Sequence, residues 1–180
     1  GLALALLRTP RPVAIAAARA RAVFDHVLGG GDVAALCEAA GMPGGRRSAG
    51  AKPTADDTLY IADTLGEMES LFSAADITFL GGSLVPLGGH NPVEPAARGL
   101  PVLTGPHLFK NSAEFGALET AGVVTLVEDA AGIADAAKAV CADIEKLAAI
   151  ASAGKAHAAK AGKRPANAAR LCLELLASGT

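Results

Sequence analysis

The stretch Ile77-Thr78-Phe79-Leu80-Gly81-Gly82-Ser83-Leu84-Val85-Pro86-Leu87-Gly88-Gly89-His90-Asn91-Pro92-Val93-Glu94-Pro95-Ala96-Ala97 decides the fold of this chain. It opens on a short apolar run, Ile77 to Leu80, that reads as a buried strand. Two glycine pairs then flank a short loop. A loop with four glycines needs positive φ angles or close approach of the backbone to something. Pro92 sits well at a helix start, and Gly99 is a helix stop. The unit is therefore strand, glycine loop, helix. Glu94, in the first helical turn, can reach whatever the loop holds.

The same unit recurs on both sides. Thr58-Leu59-Tyr60-Ile61 reads as a strand, followed by a helix over about Gly66 to Ala74 with Met68, Leu71 and Phe72 on one face. Pro101 to Thr104 and Val123-Val124-Thr125-Leu126 are further strands. Asn111 or Ser112 caps a helix to Thr120. Asp129 to Ala151 reads as one helix, and Gly154 and Gly162 punctuate a looser stretch. Pro165 opens a last helix to about Leu176. Toward the start, Leu2 to Leu7 is a candidate strand, Val13 to Leu28 reads as an Ala- and Arg-rich helix, and Asp32 caps a helix over Val33 to Ala40. Arg46-Arg47-Ser48 is a candidate short strand within a polar loop. Strands alternating with helices point to an α/β fold, a doubly wound parallel sheet. Ligands on such sheets bind at the carboxyl ends of the strands. The segments Asp63 to Met68, Gly81 to Glu94 and Gly105 to Asn111 should then share one edge.

Composition narrows the function classes. The chain has 180 residues, 51% hydrophobic and 3% aromatic, so small aliphatic side chains must build the core. Net charge is −2, with both signs spread along the chain. That is not the footprint of a nucleic-acid binder. The three cysteines, Cys37, Cys141 and Cys172, are odd in number and widely spaced, which speaks against a disulfide framework or a zinc site. They read as reduced core or surface thiols. No run reaches the ~20 apolar residues of a membrane span, and the sequence reads as a soluble chain. Lys155, Lys160, Lys163 and Arg164 read as a solvated basic face, with peripheral membrane association as the alternative.

The loop residues suit a phosphate. Glycines free backbone N–H groups, and a helix beginning near Asn91 presents its positive end. Glu94 can accept hydrogen bonds from ribose hydroxyls. The competing reading is a glycine-rich turn with a carboxylate that merely stabilises a helix dipole. In Asp63-Thr64-Leu65-Gly66-Glu67-Met68, Thr64 and Glu67 fit a capping box, or Gly66 lets a ligand approach and Glu67 contacts it. His90 reads as a hydrogen-bonding loop residue. His107, Lys110 and Asn111 could line the same cleft. No metal site is expected, and no cofactor.

At these residues the chain resembles a known family. Gly-Gly-Ser-x4-Gly-Gly-His-Asn-Pro-x-Glu-Pro-Ala, preceded by Asp-Thr-x-Gly-Glu-Met and followed by Pro-Val-Leu-x-Gly-Pro-His, is similar to the C-terminal half of 3-deoxy-D-manno-octulosonic acid (Kdo) transferases. The resemblance covers about residue 32 to the C-terminus. It implies a Rossmann-like domain, the C-terminal half of a GT-B glycosyltransferase, that binds the CMP part of a CMP-Kdo donor. It implies transfer of Kdo to lipid A precursor in lipopolysaccharide biosynthesis, at the cytoplasmic side of the inner membrane of Gram-negative bacteria. Gly66, Glu67, Met68, Asn91, Pro92, Val93 and Glu94 would bind CMP. Gly82, Ser83, Gly88, Gly89 and His90 would line the pocket. The alternative is a non-catalytic module for another nucleotide sugar, such as a UDP-sugar.

The chain also departs from the family. The general base is expected in an N-terminal domain that this sequence lacks, so no catalytic residue is assigned and the chain alone should not turn over. The acceptor would be reached through that domain. Residues 1–31 match poorly. The family's Arg-His-Pro-Glu-Arg motif is replaced by His26-Val27-Leu28-Gly29-Gly30-Gly31-Asp32, which suggests a frameshift or a gene fragment. The expected division is thus 1–31, a mismatched segment, and 32–180, the donor-binding domain.

Overall fold

A sheet of seven strands organises the computed structural model, which describes residues 2–7, 13–18, 41, 44–54, 59–64 and 66–162. The strands are β1 (Leu2–Leu7), β2 (Val13–Ala18), β3 (Gly44–Arg46), β4 (Leu59–Ala62), β5 (Ile77–Leu80), β6 (Val102–Thr104) and β7 (Val124–Leu126). The helices are α1 (Met68–Ala74), α2 (Val93–Ala97), α3 (Ser112–Thr120), α4 (Ala130–Cys141) and α5 (Ile144–Gly162). A 3-10 turn covers Arg47–Ala49.

Strand order is β3-β4-β2-β1-β5-β6-β7. β3, β4 and β2 are mutually parallel, as are β5, β6 and β7. β1 runs antiparallel to both of its neighbours, β2 and β5. Two reversals cancel, so all strands except β1 point the same way. The register places Ala62, Ala17, Ala3, Leu80, Thr104 and Leu126 in one row across the sheet. The segments after β4, β5 and β6 therefore leave the sheet along one edge, as the α/β reading requires.

The run from Val13, expected as a helix to Leu28, is a strand over Val13–Ala18. Alanine favours a helix locally, yet Val13 and Ile15 are β-branched and suit a strand. Pairing along the whole of Leu2–Leu7 and on to β4 supplies the backbone hydrogen bonds, so tertiary pairing overrides propensity. Residues 19–28, the Val33 to Ala40 helix and the Pro165 helix lie outside the described residues.

The core is aliphatic with few rings. Tyr60, Ile77, Leu80, Val102, Leu103, Phe115, Leu118, Val123, Val140 and Ile150 are all buried in one cluster. Phe115 and Leu118, three apart on α3, share the face that meets the sheet. The long helix expected from Asp129 to Ala151 is two helices. Asp129 caps α4 by accepting from Gly132 N at 2.8 Å, and Asp143 accepts from Lys146 N at 2.9 Å at the start of α5. Asp143 was the missed signal, a good N-cap inside an otherwise helical run. Gly154 does not loosen the chain; it lies buried within α5, against the Ala96 backbone of α2. Cys141, at the end of α4, is exposed.

Candidate functional site

The loop after β5 is built from its glycines. Gly82, Gly88 and Gly89 have φ of 69°, 92° and 70°. Gly88 needs both kinds of freedom, since a Cβ there would lie 2.6 Å from Lys110 Cγ and 2.8 Å from Phe109 Cε2. Gly89 N donates to Gly82 O at 2.9 Å, closing the loop on itself.

Ser83 holds this loop to the next one. Its hydroxyl donates to Leu80 O at 2.6 Å and accepts from Gly105 N at 2.8 Å. Ser83 O also accepts from His107 N at 3.0 Å. The side chain is fully buried. Ser83 was expected to line the pocket, but a buried hydroxyl engaged on both sides is a fastener between loops. Gly88 and Gly89 are likewise buried. Gly88 O accepts from Lys110 N at 3.4 Å, a second tie to the loop after β6. Val85, Leu87 and Phe109 stay exposed on these two loops, as do His107 and Lys110.

The start of α2 follows directly. Asn91 Oδ1 accepts from Val93 N at 3.0 Å, and Asn91 Nδ2 donates to Glu94 Oε1 at 3.4 Å. Pro92 is buried, whereas Asn91 is exposed and His90, Val93 and Glu94 are half-buried. Asn91 therefore orders the turn and steers the Glu94 carboxylate at once. α2 has only five residues. So short a helix sums few peptide dipoles, and its positive end is weaker than the sequence suggested.

The loop after β4 is held by ion pairs. Arg46 Nε donates to Asp63 Oδ2 at 2.5 Å. Ser48 donates to Asp63 twice, from its N–H at 2.9 Å and its hydroxyl at 2.7 Å. Arg47 Nη2 donates to Glu67 Oε1 at 2.6 Å, and Arg47 Nε lies 3.1 and 3.2 Å from the two Glu67 oxygens. Thr64 Oγ1 donates to Glu67 Oε2. The capping box is thus not formed. The Thr64 hydroxyl meets the Glu67 carboxylate, not a backbone N–H, and α1 has no side-chain cap. Gly66 is exposed with φ 85°, and Met68 packs against the core.

The two halves of the edge are distinct. β4 and β5 are separated by β2 and β1, so their ends stand roughly 14 Å apart at ~4.8 Å per strand. Arg98, at the end of α2, pairs with Glu69 in the first turn of α1 and bridges the halves. Sequence reasoning named Gly66, Glu67, Met68 and Asn91 to Glu94, and the structure brings both groups to one edge. It did not foresee that Arg46, Arg47 and Ser48 support the first group. Their signal was a pair of arginines beside a serine, upstream of two acids.

Charge in this edge is well anchored. Burial pushes the Asp63 carboxyl up, but hydrogen bonds from Ser48 and Arg46 outweigh it and bring it down to about 2. Hydrogen bonding by Arg47, then Thr64, holds Glu67 below the usual carboxylate range. A lowered folded-state value adds stability above the unfolded aspartate range near ~4. That stability is lost as pH falls toward 2. Asp63→Asn should therefore lower the melting temperature at pH 6, and the gap to the unaltered chain should close between about pH 4 and 2. A gap that stays constant across a pH series would show that Asp63 is not acting as a charge.

Among the described residues no group of three or more His, Cys, Asp and Glu could hold a metal ion, and no helix is long and apolar enough to cross a membrane. No protein-family model matches the chain. Curated relatives do. The 3-deoxy-D-manno-octulosonic acid transferase of Bordetella pertussis is 42% identical over 102 residues, covering 56% of this chain and 22% of that protein. The transferase of the same name from Haemophilus influenzae is 36% identical over 110 residues, covering 61% and 26%. The matched chain thus spans about a quarter of the length of these relatives. In three dimensions it is similar to the C-terminal CMP-Kdo binding domain of WaaA from Acinetobacter baumannii. The TM-score is 0.70 at 27% identity, covering 79% of this chain and 72% of that one. In sequence the chain is similar to Kdo transferases, and in fold to the C-terminal CMP-Kdo binding domain of one.

Proposed function

We propose that the chain is the donor-binding domain of a glycosyltransferase that uses CMP-Kdo. The observation that carries this reading is the shared edge. The glycine loop, the start of α2 and the Gly66 turn all leave the sheet there, in a chain related to a CMP-Kdo binding domain. Donor-site residues are Gly66, Met68, Asn91, Pro92, Val93 and Glu94, with Gly82 and His90 on the pocket wall; Glu67 stands beside Gly66 with its carboxylate tied to Arg47 and Thr64. Ser83, Gly88 and Gly89 shape that wall from behind.

In this reading the residues divide the work. Glu94, steered by Asn91, accepts hydrogen bonds from the ribose. Backbone N–H groups of the glycine loop and the Gly66 turn meet the phosphate. Holding the nucleotide in place orients the anomeric carbon of Kdo toward an acceptor hydroxyl, with CMP leaving. The base that activates the acceptor lies outside the segment matched here. The whole enzyme would transfer Kdo to lipid A precursor for lipopolysaccharide, at the cytoplasmic face of the inner membrane.

Calorimetric titration tests the donor assignment. The chain should bind CMP more tightly than UDP, and Glu94→Ala should weaken CMP about 10- to 100-fold, the worth of hydrogen bonds to a charged group. A preference for UDP would overturn the CMP assignment. An unchanged CMP affinity in the variant would overturn the ribose role of Glu94.

A further inference from the structure

Arg47 is absent from every donor-site assignment above, yet it pairs with Glu67, the residue next to Gly66, at 2.6 Å. It reaches Glu67 from twenty residues away in sequence. With Thr64 it occupies both oxygens of the Glu67 carboxylate. Next to it, among the described residues nothing lies within 4 Å of where a Gly66 Cβ would stand. The donor in the proposed function is an anion. An unpaired carboxylate at the mouth of this turn would repel it, and Glu69, two residues further on, is already paired with Arg98. Arg46 is engaged with Asp63, which leaves Arg47 as the described cation paired to Glu67.

We infer that Arg47 is a positioning residue of the donor site: it draws the Glu67 carboxylate aside and neutralises it, so that the backbone of the Gly66 turn meets an anionic ligand. The inference rests on the donor-binding reading. It assigns Glu67 a side chain that is kept out of the way, not one that grips the nucleotide. The planar guanidinium suits this, because it engages both carboxylate oxygens at once.

The test compares CMP with uncharged cytidine on four forms of the chain by calorimetry, with a thermal melt of each. Arg47→Ala exposes the Glu67 charge and should weaken CMP roughly five- to tenfold, with cytidine nearly unchanged. Adding Glu67→Gln to Arg47→Ala should restore most of the loss. Glu67→Gln alone should bind CMP as well as the unaltered chain or better, which does not depend on the Arg47 variant folding. Equal losses for CMP and cytidine would make Arg47 a merely structural tie and overturn the inference. So would a double variant no better than Arg47→Ala, the result expected if Arg47 touched the phosphate itself. A CMP loss in Glu67→Gln alone would overturn it too. An unaltered, folded chain that binds neither ligand overturns the donor-site reading and the inference with it. CMP binding that is the same in all four forms overturns only the inference.

Discussion

Gly105→Ala is expected to lower the unfolding free energy by about 3 kcal/mol or more, at the upper end of overpacking effects. Gly105 begins the loop after β6. A Cβ there would lie 2.3 Å from Ser83 O, 2.4 Å from Ser83 C and 2.6 Å from Leu84 N. All three are backbone atoms, so no flexible side chain can yield. Ser83 O is also held by His107 N, and Ser83 Oγ by Gly105 N itself. The glycine is needed for space, since its φ is not in the left-handed region. Moving the two loops apart would break the bonds from Gly105 N and His107 N to Ser83 and leave the buried Gly105 N–H unsatisfied. Urea unfolding with an unchanged slope is the measurement. A loss below about 1 kcal/mol would mean that the loops do not meet as described. Because the same contact shapes the wall behind Gly88 and Gly89, CMP affinity should fall in parallel.

Gly154→Val is the second large effect, expected at about 3 kcal/mol. Gly154 lies in the middle of α5, where a Cβ would stand 2.6 Å from Ala96 O and 3.3 Å from Ala96 C and Cα. Glycine is a poor helix former, so its presence there needs a reason, and close helix packing is that reason. Gly154→Ala separates two opposing terms. Propensity favours alanine by about 1 kcal/mol, while the clash with Ala96 opposes it by about 1–3 kcal/mol. The net sign should be destabilising. Gly116 in α3 supplies the control, because nothing lies within 4 Å of its Cβ position. Gly116→Ala should therefore gain stability, by about 0.5–1 kcal/mol. If both alanine variants gained equally in thermal melts, α5 would not be packed on α2 through Gly154. The effect should also reach the site, since α5 braces α2, which carries Glu94.

Much of this was legible in the sequence, for local reasons. Four-residue apolar runs bounded by turn residues marked β4, β5, β6 and β7. Pro92, Gly99, Asn111 and Asp129 marked helix ends within a residue or two, because caps act through bonds that span only a few positions. The glycine loop at Gly81 was legible for the same reason, and its resemblance to the Kdo transferases agrees with the relatives found by sequence and by fold.

What local signals could not decide was who meets whom. Val13–Ala18 is a strand because β1 and β4 pair with it, not because its alanines favour that state. Ser83 became a buried fastener, and Gly154 a helix contact, through partners 22 and 58 residues away in sequence. The sequence by itself determined the α/β class and the glycine loop, since each depends on short-range chemistry. Only the tertiary structure decided that Glu67 faces Arg47 and that the Gly66 turn and the Glu94 turn share an edge. It also decided that the gap between them is crossed by Arg98 and Glu69. Those facts come from strand order and side-chain reach across the sheet, which no window of neighbouring residues contains.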